Sequence, residues 1–458
     1  MYKKILGIVL LCSILIFALA GCNDDENDQV LYICEERNQA WEEDVRFFAY
    51  KFMMHPLLTN DYNPMYTLEH KRQPIPHLRL PRPLEAELHN FYDPQLREYF
   101  EYRVEALIAR IPYMHDFEIF YGMGRIATLL GDAHSDVHGL ERTGLFPIFV
   151  WPFDNGRLYV IGVSHEHEYI LHSELLAING IALDKIFAEL VSILPAENKS
   201  TVIRRSGPHI QYKGLLRYIG VMCNDDSAEF AFMDREGGTF TVELSVIDSF
   251  DEMELTLHEF PDSGLLNWTR ASENYWHELL PCETIMYLRF SVCEPMENLR
   301  FPDFLTNVRR DMEVADNLET LIVDLRGNLG GRLWRGLDTG WGNFIEWLNA
   351  DFPGNVYIAI DNRTYSGGVT TASLLRQEVT NALLIGEPAG QPPNFFFGFS
   401  HQSPNFGLTI DVSTTYGAFW PGYEADELLP DIFVFQTFEE FLNLHDPVLE
   451  AILSGTTR

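Results

Sequence analysis

From residue 282 onward, short apolar runs alternate with helical stretches, and this alternation restricts the fold more than any other feature of the chain. Thr284–Phe290, Thr320–Asp324, Val356–Ile360 and Ala382–Ile385 read as buried strands, with helices over Phe301–Met312, Arg335–Leu348 and Gly367–Val379. Strands joined through helices need crossovers, which predicts an α/β unit built on a largely parallel sheet. In such sheets functional groups collect where strand ends meet helix starts. Three segments fall at these junctions. Leu321–Gly331 is a buried strand breaking into a Gly-rich turn, Val356–Gly368 runs from a strand through Asp361-Asn362-Arg363-Thr364-Tyr365-Ser366 into a helix, and Leu384–Gly390 is a strand ending in a turn.

Upstream the pattern differs. Helices are expected over Trp41–Met54, Pro94–Ile111 and Phe117–Leu130, the last leading into Asp132-Ala133-His134. The Pro-rich stretch Gln73–Pro83 predicts an extended loop. After His134, strands take over at Leu145–Val150, Arg157–Gly162 and Tyr169–Ile178, followed by a helix over Ala182–Leu194 and a hairpin over Glu229–Leu244. Glu174–Gly180 resembles the "x-I-N-G" turn of PDZ-like modules, without a recognisable glycine-rich carboxylate loop. The stretch is therefore expected to be a degenerate PDZ-like insert or an unrelated β module.

The N-terminus speaks to location. Lys3 and Lys4 precede an apolar run from Ile5 to Ala20, shorter than the ~20 residues of a spanning helix, as in a secretion signal. Leu19-Ala20-Gly21-Cys22 resembles the bacterial lipoprotein signal, which implies lipidation of Cys22; ordinary cleavage after Ala20 fits the same residues. Asn23–Asp28 then forms an acidic tether. The expected layout is a signal at 1–21, a tether at 22–36, a helical region at 37–145, a β-rich module at 146–260 and the α/β unit at 282–458. Acidic residues outnumber basic ones 67 to 33, a net charge of -34, which argues against a nucleic-acid partner and leaves lipid as the means of holding an anionic membrane. Cys34, Cys223, Cys282 and Cys293 lack any C-x-x-C pairing and read by default as buried free thiols.

Ser366 carries the clearest chemical signal. With Gly367 and Gly368 opening a helix behind it, its hydroxyl lies at a positive helix end where free N–H groups can stabilise an oxyanion. An ordinary N-cap serine would have the same placement. It is not a G-x-S-x-G elbow, because Thr364 stands where glycine is required. Gly330 and Gly331 permit a tight turn, and Asp324 and Arg326 are expected to fix that turn through hydrogen bonds. A serine nucleophile needs a base, and the last lysine of the chain is Lys213, so no lysine lies within 282–458. Histidine remains. His134 and His138 are spaced i, i+4 but lack an H-E-x-x-H pattern, so no metal is expected; His165-Glu166-His167 reads as a solvated turn and His401 as a loop residue.

Taken together, the "D-x-R-x-N-x-G-G" block at Asp324–Gly331, the "T-x-S" block at Thr364–Ser366 and the "G-E-x-x-G" block at Gly386–Gly390 resemble the tail-specific (C-terminal-processing) serine proteases, especially their tricorn-like branch. Asp132-Ala133-His134 is similar to that family's "D-x-H" block, and Glu424–Asp431 to its closing "E-x-x-G-V-x-P-D", with Glu427 in place of the usual glycine. The resemblance implies a crotonase/Clp-protease-like catalytic domain and peptide-bond hydrolysis without a cofactor. It maps the nucleophile to Ser366, the base to His134, the orienting glutamate to Glu424, and the surroundings of the oxyanion to Gly330, Gly331 and Gly367. Ala133 stands where that branch often has a polar residue. The substrate implied is a peptide or protein; the competing expectation is a non-catalytic lipoprotein of the same fold that holds peptide tails or wall components.

Overall fold

The computed structural model describes residues 34–59, 91–140, 144–153, 156–223, 225–248, 255–257, 265–331 and 340–455. The signal segment, Cys22, the Gln73–Pro83 stretch and the start of the Arg335–Leu348 helix lie outside the described residues.

The α/β unit holds a six-stranded sheet in the order Ile432–Phe433, Ala382–Gly386, Asn355–Ile360, Thr320–Asp324, Ile285–Phe290, Tyr275–Leu279. All neighbours pair in parallel except the edge strand Tyr275–Leu279, which runs antiparallel. Every residue of Thr320–Asp324 and Ile285–Phe290 is buried, the signature of a sheet covered on both faces. One cover comprises the helices Phe301–Glu313, Trp341–Asp351 and Gly367–Glu378, packed through Phe301, Trp341, Val369 and Leu375. The other includes Pro447–Leu453, through Val448 and Ile452.

The N-terminal helices Glu35–Phe52, Pro94–Ile108 and Asp116–Ala127 share one apolar core with the middle module. Asp93 caps the second helix by accepting from Gln95 and Leu96 N–H, with Pro94 at its first position. Gly131, at φ 58°, ends the third through a left-handed turn. The middle module is a seven-stranded antiparallel sheet, running Ile148–Phe153, Arg157–Ser164, Glu174–Ile178, Ser227–Met233, Thr239–Ser245, with two short strands off this path. Two helices here, Lys199–Ile210 and Lys213–Tyr218, had no counterpart in the sequence reading. The first lies so close to the sheet that a Cβ on Gly207 would meet Val150 O at 2.6 Å, which explains a glycine inside a helix.

A third, three-stranded sheet ties the halves together: Asp136–His138 pairs antiparallel with Thr409–Ala418, which pairs with Asn394–Gln402. The buried Asp44 carboxylate of the first helix accepts from Ser403 Oγ at 2.5 Å and from the Asn405 and Phe406 amides at 3.0 Å, locking that helix onto the same hairpin. His401 is therefore in a strand, opposite Ile410, rather than in a loop. The cysteines also depart from expectation: among the described residues Cys34 and Cys282 are exposed free thiols, and Cys293 is a buried one.

Candidate active site

Two strand ends build the serine's turn. Asp361 Oδ1, just past Asn355–Ile360, accepts from the amides of Gly327 at 2.8 Å, Arg363 at 3.1 Å and Thr364 at 2.9 Å. Thr364 Oγ1 donates to Leu325 O at 3.0 Å, and Tyr365 N to Asn328 O at 2.8 Å, so this turn is stitched to the one following Thr320–Asp324. Beneath them Asp324 and Arg326 form a buried network in which Arg326 also grips Asp446 at 2.7 Å and Tyr287 donates to Asp324 at 2.6 Å. Burial pushes the Asp324 carboxyl up, but the Arg326 and Arg289 guanidiniums outweigh it and hold the group below the ordinary aspartate range.

Ser366 sits at φ 48°, ψ -117°, a conformation that costs a non-glycine residue roughly 1–3 kcal/mol and persists only where the surroundings impose it. Its side chain makes no capping hydrogen bond to the helix it precedes. Instead Oγ lies 3.0 Å from His134 Nε2. Gly330 packs directly against this turn: a Cβ there would meet Gly367 N at 2.6 Å and Ser366 Cβ at 2.7 Å. The Gly330 amide is occupied, donating to Asn328 Oδ1 at 2.8 Å, so its contribution is space and not a free donor. The amides of Gly331 and Gly367 have no acceptor among the described residues.

His134 arrives from the far end of the chain. Its own amide donates to Asp132 Oδ1 at 3.0 Å, and the Asp136–His138 strand that follows fixes it against the hairpin, with Ser413 N donating to Ser135 Oγ at 3.0 Å. The imidazole stacks between Tyr365, with centroids 4.8 Å apart, and Phe395, at 5.2 Å. Nδ1 is 3.0 Å from the Tyr365 hydroxyl, which lies 3.1 Å from Glu197 Oε1. Glu197 also accepts from Ala133 N at 3.2 Å. Direct approaches of carboxylates to Nδ1 are longer, 3.6 Å from Glu197 and 3.8 Å from Asp132. Burial first, and then the nearby Glu197 and Asp132 charges, raise the Tyr365 pKa well above its ordinary value, so the phenol stays protonated. Asp132 is fully buried; burial pushes its pKa up, yet the His55 hydrogen bond and charge, with those of His134 and Ser135, bring it below the usual range.

Glu424, matched to the orienting glutamate, is exposed, and no hydrogen bond or ion pair among the described residues joins it to His134. Its neighbours brace the middle module instead, Asp426 O accepting from Asn198 Nδ2 at 2.7 Å and Glu427 Oε1 from Ser200 Oγ at 2.6 Å. His138 pairs with Asp411 at 3.2 Å, away from the serine. Glu197 and Tyr365 escaped the sequence reading. Tyr365 adjoins the serine and was within reach of it, whereas nothing around Glu197 marks more than the N-cap at Asn198. Asp132, His134 and Glu197 bring three potential metal-ligand atoms within 4.8 Å, but each is engaged in the hydrogen bonds just described.

The architecture matches solved structures over nearly its whole length. Mature CPAF superposes with a TM-score of 0.56 at 11% identity, covering 92% of this chain and 97% of that one. The chain has the fold of CPAF. A CPAF complex with lactacystin matches equally, at 0.56 and 11% identity over 92% and 98% of the two chains. The tricorn protease overlaps 91% of this chain and 37% of its own at 13% identity, with a TM-score of 0.41. No family model and no curated protein matches the sequence.

Proposed function

We propose that this chain is a serine peptidase in which Ser366 is the nucleophile and His134 the general base. The observation that carries the reading is the 3.0 Å approach of His134 Nε2 to a strained Ser366 that does not cap its own helix. Ser366 Oγ attacks the scissile carbonyl and passes its proton to Nε2, which requires the Nδ1–H tautomer of His134. Nδ1–H then donates to the Tyr365 oxygen, and the Tyr365 hydroxyl donates to Glu197. This chain orients the ring and, with Asp132 nearby, favours the imidazolium that forms. The oxyanion accepts from the Gly331 and Gly367 amides. Nε2–H protonates the leaving amine, and water, activated by the same base, releases the acyl group. Fluorophosphonate labelling of the full chain tests the reading: labelling that is lost in Ser366→Ala and suppressed in His134→Ala is expected; labelling that persists in Ser366→Ala would overturn the nucleophile assignment, and an unmodified chain that takes no label would leave the non-catalytic alternative.

The same proposal places the enzyme outside the cytoplasm, anchored by lipid on Cys22. Its support is the Leu19–Cys22 pattern behind a short basic-apolar segment. Cys22→Ser should release the protein or leave it unprocessed; mature-sized, membrane-bound Cys22→Ser protein would refute the anchor.

A further inference from the structure

Asp132 is fully buried beside His134, with Oδ1 3.8 Å from Nδ1 of the imidazole. Its carboxylate is served from two directions. The His134 amide donates to Oδ1 at 3.0 Å and Ser135 Oγ to Oδ2 at 2.6 Å, both from the segment that carries the histidine itself. The other donor is foreign to that segment: His55 Nε2 lies 3.3 Å from Oδ2. His55 stands in the turn that closes the Glu35–Phe52 helix, its own amide donating to Phe52 O at 2.9 Å, and it too is fully buried. The Leu57 amide donates to its Nδ1 at 3.2 Å, which leaves Nε2 to donate to Asp132. Phe396 packs on the His55 ring at 4.8 Å, while its neighbour Phe395 stacks on His134. Adjacent residues of the Asn394–Gln402 strand thus touch both histidines, through opposite faces of the sheet.

A carboxylate removed from water stays ionised only if donors replace the lost hydration, since burial by itself favours the neutral acid. His55 is one of those donors. At 3.8 Å Asp132 makes no hydrogen bond to the imidazole, so its influence on His134 is that of a nearby negative charge acting where water is excluded. Such a charge favours the imidazolium that forms when His134 takes the serine's proton. The other charged groups that reach this pair are Glu197, Arg204 and Arg205 around Tyr365, and Asp411 of the hairpin, which is itself paired with His138 at 3.2 Å.

Resting on the peptidase reading, we propose that His55 is a positioning residue of the reaction: through Asp132 it keeps a negative charge beside His134, in parallel with the Tyr365–Glu197 chain. The test compares His55→Asn with His55→Gln in the full chain. An asparagine side chain can accept from the Leu57 amide but falls short of Asp132, whereas glutamine reaches the carboxylate with an N–H. His55→Asn should lower kcat by about 10- to 100-fold, the range of one hydrogen bond to a charged group, with KM nearly unchanged. With less negative charge beside the base the imidazolium is less favoured, so the acid limb of kcat/KM should also move to lower pH. His55→Gln should recover most of the rate and return the acid limb. Asp132→Asn should reproduce both effects, and the double variant with His55→Asn should be little worse than Asp132→Asn alone. Should His55→Asn fail to fold, His55→Leu, which fills the site without a donor, takes its place. Equal losses in the Asn and Gln variants with the acid limb unmoved would assign His55 to packing and overturn the proposal, as would an unaltered rate and acid limb in His55→Asn. An unmodified chain that neither cleaves peptide nor takes fluorophosphonate would sink the peptidase reading, and this role with it.

Discussion

The two sides of the candidate site are built in opposite ways. On the serine side, Asp361, Thr364, Tyr365, Ser366 and Gly367 are consecutive or nearly so, and their geometry follows from one strand, one turn and one helix start. On the histidine side nothing is local: His134 comes from 232 residues upstream of Ser366, Glu197 from a different module, and Phe395 from a hairpin. A local turn can be specified by a short sequence pattern, whereas an assembled side depends on docking, and its individual members can change while the arrangement is kept.

The comparison is broken most severely by removing either primary partner. His134→Ala should reduce peptide turnover by about 10^4-fold or more, matching Ser366→Ala, with both proteins melting near the unmodified temperature; comparable activity in His134→Ala would end the equivalence of the two sides. Next come Tyr365→Phe and Glu197→Gln. Each should cost on the order of 10- to 100-fold in kcat with little change in KM, and the double variant should lose much less than the product, because both act through one chain of hydrogen bonds to His134.

A subtler difference concerns pH. Burial and the Asp361 charge raise the Glu387 carboxyl from 4.5 to about 7. Since the folded state holds this proton while the unfolded state releases it, the group's contribution is full below its unfolded pKa and declines as pH rises towards 7. Thermal melts of Glu387→Gln should therefore improve on the unmodified chain increasingly from pH 5 to pH 8; a pH-independent difference would show that Glu387 titrates normally. The smallest effects belong to residues outside the assembled contacts. His401→Ala and Glu424→Gln should each change kcat/KM by less than about 3-fold, and a loss from Glu424→Gln as large as that from Glu197→Gln would return the orienting role to the closing block.

What could be read in advance follows the same division. The strands and helices of 282–435 announce themselves because buried parallel strands are continuous apolar runs punctuated by glycine. The Lys199–Ile210 helix was hidden by Ser206-Gly207-Pro208 in its last turns, residues that argue for a loop until the close packing on Val150 is seen. The Asn394–Gln402 and Thr409–Ala418 strands escaped notice as a pair, although their register is what delivers Asp136–His138, and hence His134. Glu197 was illegible for a simpler reason: its meaning lies in a hydroxyl 168 residues later. Gly330 shows the converse, a residue expected at the oxyanion that packs against the serine's turn but whose amide is spent on Asn328.

Under the proposed peptidase reading, the 232-residue interval between His134 and Ser366 also governs when the chain gains hydrolytic power. A fragment that ends before Ser366 or begins after His134 cannot bring nucleophile, base and Glu197 together. Under that reading, a newly made molecule is inert towards its siblings until His134 and Ser366 have met, and one cut apart and separated between residues 134 and 366 is disarmed. If the peptidase reading holds, the order of the sequence itself works as a safety catch.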